Sequence, residues 1–555
     1  MKKTLLLLGA LSSIHLFGQT GSAADFQKIS SQSGGLQSEL IDEGRFGYIS
    51  ESQTPNIVFS GAPFNANGEF FILELNDEGS VTSETRVSAA DLSYFDGLIG
   101  AEFGSAVVDL GDQNGDDQID LIVGAPGLDG GKFFLLISSS QGYQLTELEV
   151  PVDVRNISER LGEFMAYHNG NLYAASSHAE GVVYRFQIGA NALTVLETFG
   201  VENPMLAGKL EEGDRFGSGL SLADVNNDGI ADLLCGAPGD DDQDTNFGAV
   251  YMLYLNAFGD LAEVQKISRL EGDFGGFLNV DDEFGISVRA IGDLDQNGVV
   301  DLAVGAPGDD DGGTNIGSVW ILFRHPDGWV INERKINRFE GNFTLELGTE
   351  DRLADRIALV GDLNDDGTMD IVASVPGDDD GGNDRGGFFT IFLEYCPAPS
   401  GDFDFEVEGP TVQFSAEGGE GYSYIWNFDD GGFSEQQNPT HTYQSAGTYM
   451  VCLAINNECG GDNFCENVQV TSVLNTEEIL SSHVSLYPNP ANDQIFVSGY
   501  DSEASIRIID ITGKEVKSER LNREGIEVSE LNEGIYLMEI SNRETRVIKK
   551  FKVVR

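Results

Sequence analysis

Residues 283–308 read EFGISVRAIGDLDQNGVVDLAVGAPG, and the same grammar recurs along the chain. RFGSGLSLADVNNDGIADLLCGAPG occupies 215–239, EFGSAVVDLGDQNGDDQIDLIVGAPG occupies 102–127, and a looser copy, LADRIALVGDLNDDGTMDIVASVPG, occupies 353–377. Two degenerate copies run from Arg45-Phe46-Gly47 to Pro63 and from Arg160-Leu161-Gly162 to Ser176. The aligned Phe or Leu residues are 46, 103, 161, 216, 284 and 353, a spacing of 55 to 69 residues. That period is too long for most helical repeats and suits a four-stranded unit. Each full copy starts a strand at Phe-Gly, turns through Asp and Asn, and runs an apolar strand into Gly-Ala-Pro. An acidic loop, a strand with aromatics and a more polar strand follow. Four strands per unit, repeated radially, predict an all-β protein whose main body is a β-propeller, six blades favoured and seven possible, followed by two small β-sandwich domains. One blade cannot cover both of its faces, so its neighbours must.

The Asp/Asn turns follow the pattern Asp-x-Asn/Asp-x-Asp/Asn-x-x-x-Asp. They are Asp112/Asn114/Asp116/Asp120, Asp224/Asn226/Asp228/Asp232, Asp293/Asp295/Asn297/Asp301 and Asp362/Asn364/Asp366/Asp370. Alternate side-chain oxygens point into such a turn, and the ninth position returns a carboxylate from the next strand. The seventh residue (Gln118, Ile230, Val299 or Thr368) can add its backbone carbonyl. Hard oxygen ligands at this spacing suit calcium rather than zinc or copper. Glycine fills the sixth position at Gly229, Gly298 and Gly367, whereas Asp117 stands there in the first turn. Without a cation, the three carboxylates of one turn repel each other.

These motifs resemble the FG-GAP repeat, the unit of the integrin α-subunit propeller and of many bacterial surface proteins. The resemblance covers roughly residues 25–395, and the integrin propeller has seven blades where six units are counted here. It implies that the turns bind Ca²⁺ in a structural, non-catalytic role. Asp25–Ser30 echoes Glu263–Ser268, which precedes a later Phe-Gly. The first unit therefore starts with an outer strand, which can pair with the last unit and close the ring.

A second acidic series follows the apolar strands, at Asp240-Asp241-Asp242, Asp309-Asp310-Asp311 and Asp378-Asp379-Asp380. These loops join strands two and three of a unit, the metal turns join strands one and two, and so the two sets lie on opposite faces. The resemblance makes the triplet face the ligand face. One reading is a rim for a cationic or cation-bridged partner, an extracellular protein or glycan. The other is a set of solvated loops that keep the protein soluble.

The chain has 555 residues, 92 acidic and 32 basic, for a net charge of −60. Such a surface repels phosphate backbones and anionic lipids, which excludes nucleic-acid binding and polybasic membrane docking. At 40% hydrophobic residues the chain has enough apolar content for packed cores. From Ser472 onward there are 14 acidic and 11 basic residues, so the excess charge lies upstream.

Lys2 and Lys3, the apolar run from Leu5 and the small residues Gly21–Ala24 have the order of a secretory signal peptide over residues 1–24. The mature protein is expected to have no membrane span. Four of the five cysteines lie within 70 residues, and their pairing is open; Cys452–Cys465 across a hairpin with Cys396–Cys459 is favoured. Cys235, in an apolar strand, reads as a buried free thiol. Residues 396–471 hold Tyr424-Ile425-Trp426-Asn427-Phe428-Asp429-Asp430-Gly431, His441-Thr442-Tyr443 and Gly447-Thr448-Tyr449. They resemble the PKD domain, an immunoglobulin-like sandwich, with Asp429 where glycine is usual and Trp426 in the core. A linker is expected over 472–483. Residues 484–555, with Leu486-Tyr487-Pro488-Asn489-Pro490, Ile506–Lys514 and Gly534-Ile535-Tyr536-Leu537, resemble the C-terminal sorting domain of type IX secretion substrates in Bacteroidetes. That resemblance implies handling by the type IX secretion machinery, then release or surface attachment.

No H-E-x-x-H, P-loop or G-x-S-x-G motif occurs. The reading is a non-enzymatic calcium-binding propeller acting in adhesion or ligand binding. The alternative is a secreted hydrolase or polysaccharide-processing protein with its site on the propeller face.

Overall fold

A computed structural model describes residues 23–555 except 66–67, 89–91, 93–99, 128, 141, 158, 178–180, 243–244, 342–346, 396–400, 419–421, 458–459, 472–482, 501–503, 512, 522–524 and 543–545. The expected signal peptide, apart from Ala23 and Ala24, falls outside these residues, as do Cys396 and Cys459 and nearly all of the expected linker. The chain divides into two compact units, the first built on Met1–Ser400 and the second on residues from Gly401 to Arg555.

The first unit contains β1 (Ala23–Ile29) and then six repeats. Blade one is β2 (Tyr48–Glu51), β3 (Ile57–Ala62), β4 (Glu69–Leu75) and β5 (Val81–Ser88). Blade two is β6 (Val107–Gly111), β7 (Asp120–Ala125), β8 (Lys132–Ile137) and β9 (Gln144–Leu148). Blade three is β10 (Phe164–His168), β11 (Asn171–Ser176), β12 (Val182–Ile188) and β13 (Leu193–Phe199). Blade four is β14 (Leu220–Ala223), β15 (Asp232–Ala237), β16 (Ala249–Leu255) and β17 (Leu261–Ser268). Blade five is β18 (Val288–Gly292), β19 (Asp301–Ala306), β20 (Ser318–Arg324) and β21 (Val330–Ile336). Blade six has only β22 (Ile357–Gly361), β23 (Asp370–Val375) and β24 (Gly387–Leu393) from its own repeat. Its fourth strand is β1, antiparallel to β24 with Lys28 opposite Phe389. The innermost strands β2, β6, β10, β14, β18 and β22 touch in cyclic order, and β22 meets β2. The protein is all-β, with a six-bladed propeller closed by its first strand.

The packing explains the repeat. Each of the six apolar cores in this unit is shared by two neighbouring blades; Val250 and Met252 of blade four, for example, pack with Phe284, Val304 and Trp320 from the fifth repeat. The last such core joins blades six and one through Phe388, Phe46 and Phe71. Phe46, Phe103, Leu161, Phe216, Phe284 and Leu353 are all fully buried. Blades also touch backbone to backbone. Gly248, just before β16, has φ +87°, and a Cβ there would lie 2.0 Å from the Phe284 carbonyl oxygen. Gly236 of the first complete Gly-Ala-Pro in this pair leaves a Cβ position only 1.6 Å from the Gly285 oxygen. Only glycine permits these approaches.

The second unit holds two small sandwiches. In the first, a sheet of Phe403–Glu408, Thr411–Ala416 and Thr440–Thr442 accompanies a four-stranded sheet ending in the hairpin Gly447–Asn457/Gly460–Val470. Trp426 is fully buried between Phe403 and Phe414, and its indole N–H donates to the Gln436 carbonyl at 2.9 Å. Asp429 has φ +62°, the conformation glycine adopts without strain. Cys452 and Cys465 form a disulfide across the hairpin, and Cys235 is free and buried. In the second sandwich, Ile495, Ile506, Ile508, Met538 and Phe551 share one core. No helix among the described residues is long and apolar enough to cross a membrane.

Candidate metal turns and acidic rim

The four Asp/Asn turns, numbered one to four in chain order, join the first and second strands of blades two, four, five and six. Their hydrogen bonds repeat. In the second turn the Asp224 carboxylate accepts the N–H groups of Asp228 at 3.0 Å and Gly229 at 2.8 Å. Asp293 and Asp362 do the same for Asn297/Gly298 and Asp366/Gly367. In the first turn Asp112 accepts from Asp116 and Asp117. The fifth-position oxygen accepts the seventh N–H in all four, from Gln118, Ile230, Val299 and Thr368. Positions four and six are left-handed throughout, and Asp117, with φ +62°, takes the place of glycine. The side chains of Asn226, Asn297 and Asn364 also donate to a neighbouring carboxylate of their own turn, and Asn114 donates to the Ser138 carbonyl.

The ninth position is the first residue of strand two. Asp120, Asp232, Asp301 and Asp370 are fully buried. Each carboxylate bridges two N–H groups, one from the start of its turn and one from the end of strand three; Asp301 takes Leu294 at 2.8 Å and Arg324 at 3.0 Å. Burial, reinforced by neighbouring carboxylates, pushes Asp301 up to about 8, Asp370 to about 7, and Asp232 and Asp295 to about 6. Carboxylates held in a pocket that disfavours their charge suit a bound cation. In the third turn carboxylate oxygens of Asp293, Asp295 and Asp301 lie within 4.8 Å of one another, the one such acidic group among the described residues. The donor set is therefore all oxygen and fits a hard divalent ion.

The Asp triplets lie at the other end of strand two, and a lysine from strand four accounts for their placement. Lys266 binds Asp240 at 2.8 Å and Asp242 at 2.7 Å. Lys335 binds Asp309 and Asp311, and Lys28 of β1 binds Asp378 at 2.6 Å and Asp380 at 2.8 Å. The first Asp of each triplet is buried. The middle one is exposed, and one of its oxygens accepts the loop N–H five residues on, from Asn246, Asn315 or Asp384. Two of the three carboxylates in each triplet are thus counter-ions to a lysine of the same blade, the first buried and the third reaching solvent, because folding brings strand four under the loop. The signal lay in the recurrence of Lys28-Ile29-Ser30 and Lys266-Ile267-Ser268, which is also a charge pattern. A third carboxylate faces each cluster, Asp214, Asp282 or Asp351, two residues before the repeat's Phe or Leu.

The residue immediately before each Phe or Leu also repeats. Arg45, Glu102, Arg160, Arg215, Glu283 and Arg352 all have φ between 50° and 57°. Glu102 pairs with Arg160, and Glu283 takes both Arg215 and Arg352 at 2.6 Å, linking blades four, five and six. A separate pocket of about 230 Å³ is lined by the innermost strands, where Arg289 of blade five meets Glu51 of blade one at 3.1 Å.

Comparisons with known proteins follow the same division. The FG-GAP repeat model matches residues 216–253 and 284–322, the PKD domain model 404–472, and the secretion system C-terminal sorting domain model 485–554. Integrin alpha-7 of Mus musculus is 41% identical over 97 residues, 18% of this chain and 8% of that subunit. Integrin alpha-6 of Homo sapiens is 41% identical over 126 residues, 23% of this chain and 10% of that subunit. This chain thus matches a small part of the length of those curated relatives. Among solved structures, the PKD1 domain of the Vibrio cholerae metalloprotease PrtV is 31% identical, covering 14% of this chain and 99% of that one, with a TM-score of 0.13. The chain joins integrin-like FG-GAP repeats, a PKD domain and a type IX secretion sorting domain, and the last of these marks it for export to the outer surface or beyond.

Proposed function

We propose that the protein is a calcium-stabilised, non-enzymatic propeller that binds an extracellular protein or glycan after export. The carrying observation is the four turns with one hydrogen-bond skeleton, each presenting three carboxylates, among them a fully buried one. Asp112, Asn114, Asp116 and Asp120 would hold an ion in the first turn, and the equivalent residues would do so in the other three. When bound, Ca²⁺ supplies the positive charge that lets Asp232, Asp301 and Asp370 stay ionised in their buried sites. The carbonyls of Gln118, Ile230, Val299 and Thr368 complete the proposed donor sets. The role is to lock strands one and two of a blade together.

The partner surface is proposed on the triplet face. The exposed middle carboxylates Asp241, Asp310 and Asp379 would meet a cationic or cation-bridged ligand, while their neighbours hold the loops in place. A glycan array and a hydrolase panel on the mature protein test this reading. Binding without turnover is expected; turnover abolished by one acidic substitution, with the fold intact, would favour the hydrolase alternative.

A further inference from the structure

The four turns are not equivalent in their surroundings. A residue at the end of strand three, or one past it in blade two, gives its N–H to the ninth-position carboxylate in each case: Ser138 to Asp120, Leu255 to Asp232, Arg324 to Asp301 and Leu393 to Asp370. Only Arg324 carries a side chain long and polar enough to reach another turn. It is 1% exposed, and its backbone is part of the third turn, since its carbonyl also accepts the Asn297 amide at 2.7 Å. Its guanidinium Nη1 donates to the Val300 carbonyl at 2.9 Å, one residue before Asp301. The same Nη1 donates across the blade boundary to the Val225 carbonyl at 3.3 Å, in the second turn. Val225 is itself tied by its N–H to the ninth-position Asp232 at 3.3 Å. A second, independent link runs along the surface: the Asn227 amide of the second turn donates to the Gly298 carbonyl of the third at 2.8 Å. Gly298 in turn gives its N–H to Asp293.

We infer that the second and third turns form a coupled pair of cation sites, with Arg324 and Asn227 as the positioning residues that join them. This rests on the calcium reading of the turns. Ordering the third turn fixes Val300, Gly298 and Arg324, the atoms to which the second turn is bonded. The second turn then has less conformational entropy to lose when it closes on its own ion. The benefit is reciprocal, because a coupling free energy acts equally on both sites. The first turn in blade two has no adjacent partner turn. The fourth turn is adjacent to the third, but Leu393 has no donor with which to reach it.

The test is a calcium titration of the full mature chain followed by amide hydrogen exchange, read separately over 224–232, 293–301 and 112–120. Asp295→Asn disables the third turn. It should raise the calcium midpoint for protection of 224–232 by about fivefold or more, the low end of ordinary site–site coupling. Asp366→Asn, which disables the fourth turn, should leave that midpoint in place, and 112–120 should not change in either variant. In a background carrying both Arg324→Met and Asn227→Ala, Asp295→Asn should no longer move the 224–232 midpoint, and in Asn227→Ala alone its effect should shrink. Asn227 is exposed, so its variant keeps the test decisive if loss of the buried arginine prevents folding. An unmoved midpoint over 224–232 in Asp295→Asn, with calcium protection still present, overturns the coupling and leaves the calcium reading standing. Coupling that survives both substitutions overturns the role of these two residues. Absence of calcium protection at every turn overturns the calcium reading itself.

Discussion

At Lys335 a single side chain holds two carboxylates of one loop. Asp309 is fully buried beneath it, and an unpaired buried charge is among the costlier defects a substitution can leave. Lys335→Met should destabilise the propeller by ~3–5 kcal/mol in chemical denaturation, whereas Asp310→Asn, at the exposed middle position, should change it by less than ~0.5 kcal/mol. The same middle substitution made at Asp241, Asp310 and Asp379 together should weaken ligand binding while leaving the melting temperature in place. The neighbouring Asp282 supplies a pH dependence. It is 1% exposed and one of its oxygens has no partner. Burial pushes it up to about 7, with Asp309 and Asp311 adding to the effect and Lys335 and the Asn279 N–H opposing it. A carboxyl raised in the folded state contributes stability that is full below its unfolded value of about 3.9. That contribution is lost as pH rises through about 7. Asp282→Asn should therefore gain stability relative to wild type between pH 5 and 8 on the order of the window just given, and lose that advantage near pH 4. A constant difference across the range would rule out this assignment. Asp282 was not legible as a site in the sequence, because its burial depends on a loop and a strand more than 25 residues away.

The elements with the strongest local signal were the second strands. Asp120–Ala125, Asp232–Ala237 and Asp301–Ala306 are buried at every residue, so after the leading Asp they read as unbroken apolar runs closed by Gly-Ala-Pro. Blade three lacks an Asp/Asn turn, yet its first hairpin forms through Asn169, at φ +48°, and Gly170. The pairing of β1 with β24 was legible from the echo of Asp25–Ser30 in Glu263–Ser268, and the register places Lys28 where Lys266 and Lys335 stand. Its consequence for charge was not, since Lys28 and Asp378 are 350 residues apart in sequence. Removing β1 takes away both the outer strand of blade six and the cation of its triplet. A chain lacking residues 1–29 should expose the edge of β24 and leave Asp378 unpaired. It should melt at a lower temperature and associate through that edge, as read by scanning calorimetry and light scattering. A monomer with unchanged melting would contradict the closure.

For the whole molecule, the net charge of −60 separates into parts with different tasks. Twelve carboxylates stand at the candidate ligand positions of the four turns. Six of the nine triplet carboxylates are held by three lysines, and the near-neutral tail belongs to the sorting domain. The turns were legible in the sequence because their ligands are close together in it; the coupling between two of them was not, because Arg324 reaches Val225 from 99 residues away. A ligand that binds only the folded state stabilises it by ~2.7 kcal/mol per site at a hundredfold excess over Kd. Four such sites in one closed ring should therefore dominate its melting. The most direct test is the melting curve of the mature protein in chelator and in millimolar Ca²⁺, with the bound metal counted per chain. Calcium binding in all four turns predicts four ions per chain and a marked rise in melting temperature with Ca²⁺. Identical curves in the two conditions, with no metal bound, would contradict it.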